Sequence, residues 1–146
     1  MDRKIDVYRV LHNLITEYEK VQGKIRFSFI KRKEEFIFVN GSSLFLEVFH
    51  LTRKEFINAS LQILCPYGNR YQQMYDLYEQ AWNGKKVIYY ISSPNNQLFV
   101  ILLYPILVNE ITKEVEGKCA VLSDYQVPVQ QNSSYFFDCT DFVNPQ

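Results

Sequence analysis

Two stretches of sequence decide how this chain folds: Phe36-Ile37-Phe38-Val39-Asn40-Gly41-Ser42, and Tyr104-Pro105-Ile106 with the Glu114-Val115-Glu116-Gly117 that follows it. The first is an apolar strand that ends at Asn40, whose side-chain oxygen is expected to cap the next helix. The second combines a strand, a proline and a glycine turn, and it continues to Ser123-Asp124-Tyr125-Gln126. Outward from these stretches we predict two strands, short helices, one long helix and three strands, in that order.

The spacing of the apolar residues places these elements along the chain. Helical spacing predicts an amphipathic helix over residues 4–22, ended by Gly23, and a long helix over residues 69–83, ended by Gly84. Strands are expected at residues 25–29, 36–39, 87–92, 98–108 and 118–124, with residues 110–117 linking the last two. These elements predict an α+β fold, in which helices cover one face of a five-stranded antiparallel sheet and an amphipathic N-terminal helix precedes it.

The pattern divides the chain into three parts. Residues 1–23 form the N-terminal helix, and residues 24–126 form the folded domain. Residues 127–146 are expected to be a linker and tail, because Pro128 and a run of polar residues interrupt the apolar pattern there. A short apolar segment, residues 135–139, either docks on the domain or marks a cut end.

The composition fits one folded domain and excludes several classes of partner. With 146 residues, 47% of them hydrophobic and 16% aromatic, the chain can bury a core of its own. Sixteen basic residues balance sixteen acidic ones, so the chain lacks the positive field that nucleic acid requires. No apolar stretch reaches the roughly 18 residues that span a bilayer, and no signal sequence opens the chain, which predicts a cytoplasmic protein. Cys65, Cys119 and Cys139 are spaced too widely to suggest a metal site or a disulfide framework.

The order of these motifs resembles the PAS domain family. Val39-Asn40 is similar to the Val-Asn that ends a strand in the family, and Ser60-Leu61-Gln62-Ile63-Leu64-Cys65-Pro66 is similar to its Ser-Leu-x-x-Leu-x-Pro stretch. Tyr104-Pro105-Ile106 and Lys113-Glu114-Val115-Glu116-Gly117 stand where the family has Ser-Pro-Ile and Gly-Glu-Val-x-Gly. The terminal Asp-Ile-Thr becomes Asp124-Tyr125-Gln126, and the Pro128 that follows departs from family members that continue into a coiled coil toward a kinase or cyclase.

The resemblance implies a non-catalytic sensor or regulatory module in signal transduction, such as bacterial two-component systems use, with a small-molecule ligand or a signalling protein as partner. By analogy with the family, alternate residues of the strand 98–108 face a ligand pocket opposite the long helix. The expected pocket residues are Met74, Tyr75, Tyr78, Phe99, Ile101 and Leu103. The alternative is a core filled by these side chains, which would make the domain a pure protein-interaction or dimerisation module. A small enzyme on a similar cone-shaped α+β fold is a further alternative, but the sequence carries no catalytic motif that favours it.

Residue types at the family's cofactor positions argue against haem and against a photoreactive flavin. A haem-binding PAS domain usually takes its iron ligand from a histidine on the long helix, and residues 71–82 contain none, since His12 and His50 lie elsewhere. A flavin-binding LOV domain needs a reactive cysteine within Asn-Cys-Arg-Phe-Leu-Gln, and Ser60 stands at the comparable position. The sequence therefore leaves the cofactor unknown.

The strand 98–108 is apolar on both of its faces. Leu98, Val100, Leu102 and Tyr104 are expected on the outer face, where a solvated sheet would carry polar residues. An apolar outer face needs a cover. The N-terminal helix can supply one through Leu11, Leu14 and Tyr18, either in the same chain or from a second copy. A homodimer formed through this helix and the outer face is the preferred interpretation.

Overall fold

The structure, a computed structural model, describes residues 7–64, 68–92, 98–122 and 136–138. Within these residues, six strands form one antiparallel sheet in the spatial order β2-β1-β5-β4-β3-β6. The strands are β1 Ile25–Arg32, β2 Glu35–Gly41, β3 Val87–Ser92, β4 Leu98–Val108, β5 Ile111–Leu122 and β6 Phe136–Asp138. The first five make up the predicted sheet, and the predicted α+β class is confirmed.

The helices lie on both sides of this sheet. They are α1 Val7–Gln22, α2 Ser43–Val48, α3 Arg53–Phe56 and α4 Gly68–Trp82, with a short 3-10 turn at Leu61–Ile63. We call the face that α2, α3 and α4 cover the inner face, and the face that α1 covers the outer face. Gly23, with φ of 105°, ends α1 in the left-handed conformation that glycine adopts without strain. No helix in the described part of the chain is long and apolar enough to cross a membrane.

The helix α2 is capped by Ser42, and the sequence-based choice of Asn40 was wrong. Ser42 Oγ accepts a hydrogen bond of 3.2 Å from the Phe45 backbone N–H. The same hydroxyl donates to the Lys24 carbonyl oxygen at 2.8 Å, which ties the start of α2 to the start of β1. Asn40 Oδ1 instead accepts from the Gly41 N–H at 2.9 Å, because it lies two residues too early to reach the free N–H groups of α2.

The strands β4 and β5 form one long hairpin, in place of the link predicted over residues 110–117. The register pairs Val108 with Ile111 at the turn and Leu98 with Leu122 at the far end. Asn109 and Glu110 make the two-residue turn with φ of 55° and 67°. These positive values are typical of the type I′ turns that join antiparallel strands. The prediction was wrong because this turn lacks the glycine that usually marks it.

The sixth strand comes from the C-terminal tail. β6 pairs antiparallel with β3, in a register that joins Phe136 to Ile91 and Asp138 to Tyr89. The sequence left open whether this segment docks on the domain. Its backbone lies at the edge of the sheet, next to β3.

Candidate functional site

The inner face holds the residues that the sequence assigned to a ligand pocket. Met74 and Tyr78 of α4 are buried in one cluster with Phe99, Ile101 and Leu103 of β4. Tyr75 is half-buried and packs against the rim of this cluster. The six residues therefore lie together, as neighbours in a single apolar layer between α4 and the sheet.

Aromatic rings occupy much of this inner layer. The Tyr78 ring stacks on Phe29 with centroids 4.1 Å apart and an interplanar angle of 1°. Phe38 stacks on Phe56 with centroids 4.5 Å apart and an interplanar angle of 25°, and Phe27 is tilted against Phe45 at 5.0 Å. Such ring pairs add about 0.5–1.5 kcal/mol each beyond their area burial. These aromatic rings fill the core between the sheet and the helices α2, α3 and α4.

Two glycines let the backbone approach these rings closely. A Cβ at Gly117 of β5 would lie 2.4 Å from Phe27 Cε1, which is far inside van der Waals contact. A Cβ at Gly41 would lie 3.0 Å from Phe56 Cε2. Gly117 therefore supplies the space that the Phe27 ring occupies across the β1–β5 pair.

Polar contacts hold α4 against the turn between β1 and β2. Tyr75 donates a hydrogen bond of 2.9 Å from its hydroxyl to the Glu34 carbonyl oxygen. Lys31 Nζ donates to Glu79 Oε1 at 2.8 Å, and this hydrogen bond raises the pKa of Lys31. The Lys31 side chain is largely buried, so the pair lies partly out of water. These contacts close the rim of the inner layer at Tyr75.

The outer face carries a second, smaller apolar cluster. Leu11 and Ile15 of α1 are buried against Ile88, Val100 and Leu102. Of the residues predicted for this face, Leu14 and Tyr18 pack against the cluster as half-buried side chains. The side chain of Leu98 lies outside the described part of the structure. In this structure α1 covers the outer face of its own chain.

A charged pair fastens the C-terminal half of α1 to the sheet. The Arg26 guanidinium of β1 donates two hydrogen bonds of 2.9 Å to the Glu19 carboxylate, one from Nε and one from Nη2. This two-point geometry is the strong form of the Arg–carboxylate interaction. Hydrogen bonding to Arg26 holds the pKa of Glu19 below its usual range. The pair therefore holds α1 close to β1 and also fixes the orientation of α1 relative to β1.

Tyr104, the last residue predicted for the outer face, has a polar environment. Its hydroxyl donates a short hydrogen bond to the Glu116 carboxylate across the β4–β5 pair. Lys118 Nζ lies 5.3 Å from the centre of the Tyr104 ring. Burial, followed by the hydrogen bond to Glu116, raises the pKa of Tyr104. The apolar stripe on the outer face of β4 therefore stops at Tyr104, whose side chain makes polar contacts.

The helix α1 has a second apolar stripe beside the docked one, and the sequence analysis named only Leu14 of it as a contact residue. Val10 is 53% exposed and Val21 is 78% exposed, and half-buried Leu14 lies between them. The spacings of four and seven residues place all three side chains on one side of the helix, next to the stripe docked on the sheet. The seven-residue spacing from Leu14 to Val21, with Val10 one turn before Leu14, is visible in the sequence, but the exposure of Val10 and Val21 is not.

The histidines occupy ordinary positions. The His12 ring stacks on Tyr8 with centroids 6.0 Å apart, and His50 is exposed at the end of α2. Among the described residues, no group of three or more His, Cys, Asp or Glu side chains could hold a metal ion. Cys119 is buried in the inner cluster, where burial raises the pKa of its thiol.

Comparison with known proteins identifies the fold. No protein-family model matches the chain, and no curated protein matches it. The crystal structure of the Rhodobacter sphaeroides LOV protein superposes with a TM-score of 0.54 at 15% sequence identity, covering 84% of this chain and 69% of that one. The structure of the RsLOV d2 variant gives a TM-score of 0.55 with the same identity and coverage. LOV domains are PAS-family domains, so the chain has a PAS-like fold, as the sequence resemblance predicted.

Proposed function

We propose that this protein is a non-catalytic regulatory module with a PAS-like fold, and that it forms a homodimer through α1. One observation carries the proposal, namely that α1 has two apolar stripes. The first stripe, at Leu11 and Ile15, covers the outer face of the sheet. The second stripe, at Val10, Leu14 and Val21, lies beside the first, and its Val10 and Val21 side chains are exposed. A helix of this kind contacts the sheet with its first stripe and a partner with its second.

The second stripe fits another copy of the same helix. Burying a valine side chain contributes roughly 1.5 kcal/mol, so Val10 and Val21 of two copies supply a useful driving force. A symmetric pair would bring identical stripes together, as twofold dimers do. Because the first stripe is anchored at Ile15, a change in the packing of the sheet would move α1 and alter the dimer contact. By this route, the binding of a partner or ligand at the sheet would change the dimer contact.

The test compares Val10→Glu/Val21→Glu with a charge-matched control, Asn13→Glu/Gln22→Glu, at exposed positions of the same helix. We expect the wild-type chain and the control to sediment as dimers, because their second stripe is intact. The valine variant should sediment as a folded monomer, because Val10 and Val21 do not contact the core, and its unfolding temperature should fall by no more than the loss of the dimer contact accounts for. A wild-type chain that stays monomeric at its highest soluble concentration would overturn the proposal.

The second candidate function is ligand sensing, with a small molecule bound in the inner layer. Met74, Tyr78, Phe99, Ile101 and Leu103 converge there, which favours this second candidate function. A ligand would have to displace ring contacts such as the Tyr78–Phe29 stack. The close packing of these rings supports the other alternative, an interaction module whose core is filled by its own side chains. Native mass spectrometry distinguishes the two, since an added small-molecule mass supports ligand sensing and an unmodified chain mass supports the interaction module.

We propose no photoreactive flavin and no haem for this module. Ser60, at the position comparable to the reactive cysteine, lies in a backbone bridge to Ile37 and carries a hydroxyl in place of a thiol. α4 offers no histidine as an iron ligand between residues 71 and 82. The visible absorption spectrum of the purified protein tests both points. Bands of flavin or haem would contradict this part of the proposal.

A further inference from the structure

Tyr18 of α1 links the two apolar layers of this protein. Among the described residues, it alone packs against both the inner and the outer cluster. Tyr8 and Leu14, the other half-buried hydrophobic residues of α1 that pack on the sheet, contact the outer cluster alone. Because the sheet separates the two clusters, a side chain that contacts both has to reach past the end of a strand.

The strand end that Tyr18 passes lies beside β5. β1 begins at Ile25, which pairs with Cys119, so Val121 has no partner in the described part of β1. Burial raises the pKa of Tyr18, and hydrogen bonding with the Val121 backbone opposes this rise, so the Tyr18 hydroxyl lies beside Val121. Tyr18 therefore reaches from the outer face toward the inner face where β5 extends beyond β1.

This strand end adjoins two of the residues proposed for ligand sensing. Val121 and Cys119 of β5 are the register partners of Phe99 and Ile101 of β4. All four residues belong to the inner cluster or pack against it. Energetic coupling between two sites is carried by contiguous packed side chains of this kind. Tyr18 is thus a single packed side chain between the inner layer and the helix that carries the second stripe.

We propose that Tyr18 couples the inner layer to α1, so that a change in packing beside Ile101 changes how firmly α1 docks on the outer face. The inference deepens the proposed function and rests on it, since α1 is the proposed dimer helix. A small molecule in the inner layer that moves the Tyr18 ring shifts the balance between docked and undocked α1. The shift is as large as the difference between its affinities for the two states.

The test uses Ile101→Val, which removes one methyl group from the inner layer and keeps a β-branched side chain. Hydrogen exchange of the α1 backbone amides then measures how often α1 leaves the sheet. The change is made in three full-length chains: one with both native tyrosines, one with Tyr18→Leu, and one with the matched control Tyr8→Leu. All three chains also carry Val10→Glu/Val21→Glu, so that exchange reports on docking within one copy.

We expect Ile101→Val to speed the exchange of the α1 amides at least about twofold in the chain with both tyrosines and in the Tyr8→Leu control. In the Tyr18→Leu chain it should leave α1 exchange unchanged, because the link between the layers is gone. The amides of β5 report that the sheet is intact. A double-mutant cycle by chemical denaturation makes the same comparison without protected α1 amides, and Ile101→Val should be non-additive with Tyr18→Leu and additive with Tyr8→Leu.

Two results would overturn the proposal. In the first, Ile101→Val leaves α1 exchange unchanged in the chain with both tyrosines. In the second, it speeds exchange equally in the Tyr18→Leu chain, so that the effect travels through β4 itself. Neither result bears on the dimer, whose failure would show as a wild-type chain that sediments as a monomer.

Discussion

At the scale of single residues, the inner layer depends on one contact between a ring and a glycine. Phe27 of β1 and Gly117 of β5 are register partners, and the ring of Phe27 lies where a side chain at position 117 would stand. The ring also contacts Phe38, Phe45 and Tyr78 and is buried, so a new methyl group at position 117 would press it against these neighbours. The sequence alone shows a glycine there, but it does not show which ring needs the space.

Gly117→Ala should therefore destabilise the protein by overpacking. We expect a loss of about 1–3 kcal/mol in the free energy of unfolding, measured by chemical denaturation. Phe27→Leu in the same chain should recover part of this loss, because the smaller side chain makes room for the new methyl group. A double-mutant cycle in which the two changes simply add would show that the contact does not limit the packing.

The Glu19–Arg26 pair should make the docking of α1 depend on pH. Because hydrogen bonding to Arg26 lowers the pKa of Glu19 in the folded chain, the stabilisation is complete above the carboxyl's unfolded pKa and is lost as the pH falls through the folded pKa. Glu19→Gln should cost about 1–2 kcal/mol of unfolding free energy at neutral pH. The difference between wild type and variant should shrink toward zero in acid. A difference that stays constant from neutral to acid pH would contradict this role.

The choice of helix cap shows where residue-level prediction fails. Asn40 and Ser42 are both favoured N-cap residues, and the sequence contains both within three positions. The outcome depends on tertiary contacts, since the Ser42 hydroxyl also donates to the Lys24 carbonyl of another element. Thr52 caps α3 through a capping box with Glu55, and both residues of this motif lie within one short stretch of sequence.

At the scale of elements, the β4–β5 turn is under backbone strain that a substitution can relieve. Glu110 has φ of 67°, a conformation that costs residues with a Cβ about 1–2 kcal/mol. Glu110→Gly should raise the free energy of unfolding by about 0.5–1 kcal/mol, since Asn-Gly is the preferred pair for this turn. Glu110→Ala is the control, because it removes the carboxylate and keeps the Cβ. Thermal unfolding of the glycine variant at or below the temperature of the alanine variant would contradict the prediction.

Elements with a clear local period could be predicted from the sequence, and elements defined by distant pairing could not. The long helix α4 was predicted to within one residue at each end, because its apolar spacing is regular. The first seven residues of β5 were missed, since Ile111 to Gly117 mixes polar and apolar residues around a turn without glycine. The described part of β6 is three residues long, and it is paired with β3.

At the scale of the whole molecule, α1 determines whether the apolar outer face of the sheet is covered or exposed to water. Ile88, Val100, Leu102 and Ala120 of three strands are fully buried on the outer face, beneath α1. The sequence predicted that β4 is apolar on both faces and that α1 could cover the outer one. It could not decide whether the cover comes from the same chain, because the periodicity of α1 fits both arrangements.

Removing residues 1–23 should therefore leave a chain that self-associates. The loss of α1 exposes a contiguous apolar patch on the outer face, and patches of this kind drive association. We expect the shortened chain to bind a hydrophobic dye and to aggregate on concentration, while a peptide of residues 1–23 added in trans suppresses both effects. A chain that lacks only residues 1–6 is the control, because it keeps all of α1, and it should behave as the full chain does. The prediction is contradicted if the chain without α1 stays monomeric, binds no dye and unfolds at the wild-type temperature. In that case the outer face does not need α1 as a cover, and the role left for α1 is interaction with a partner.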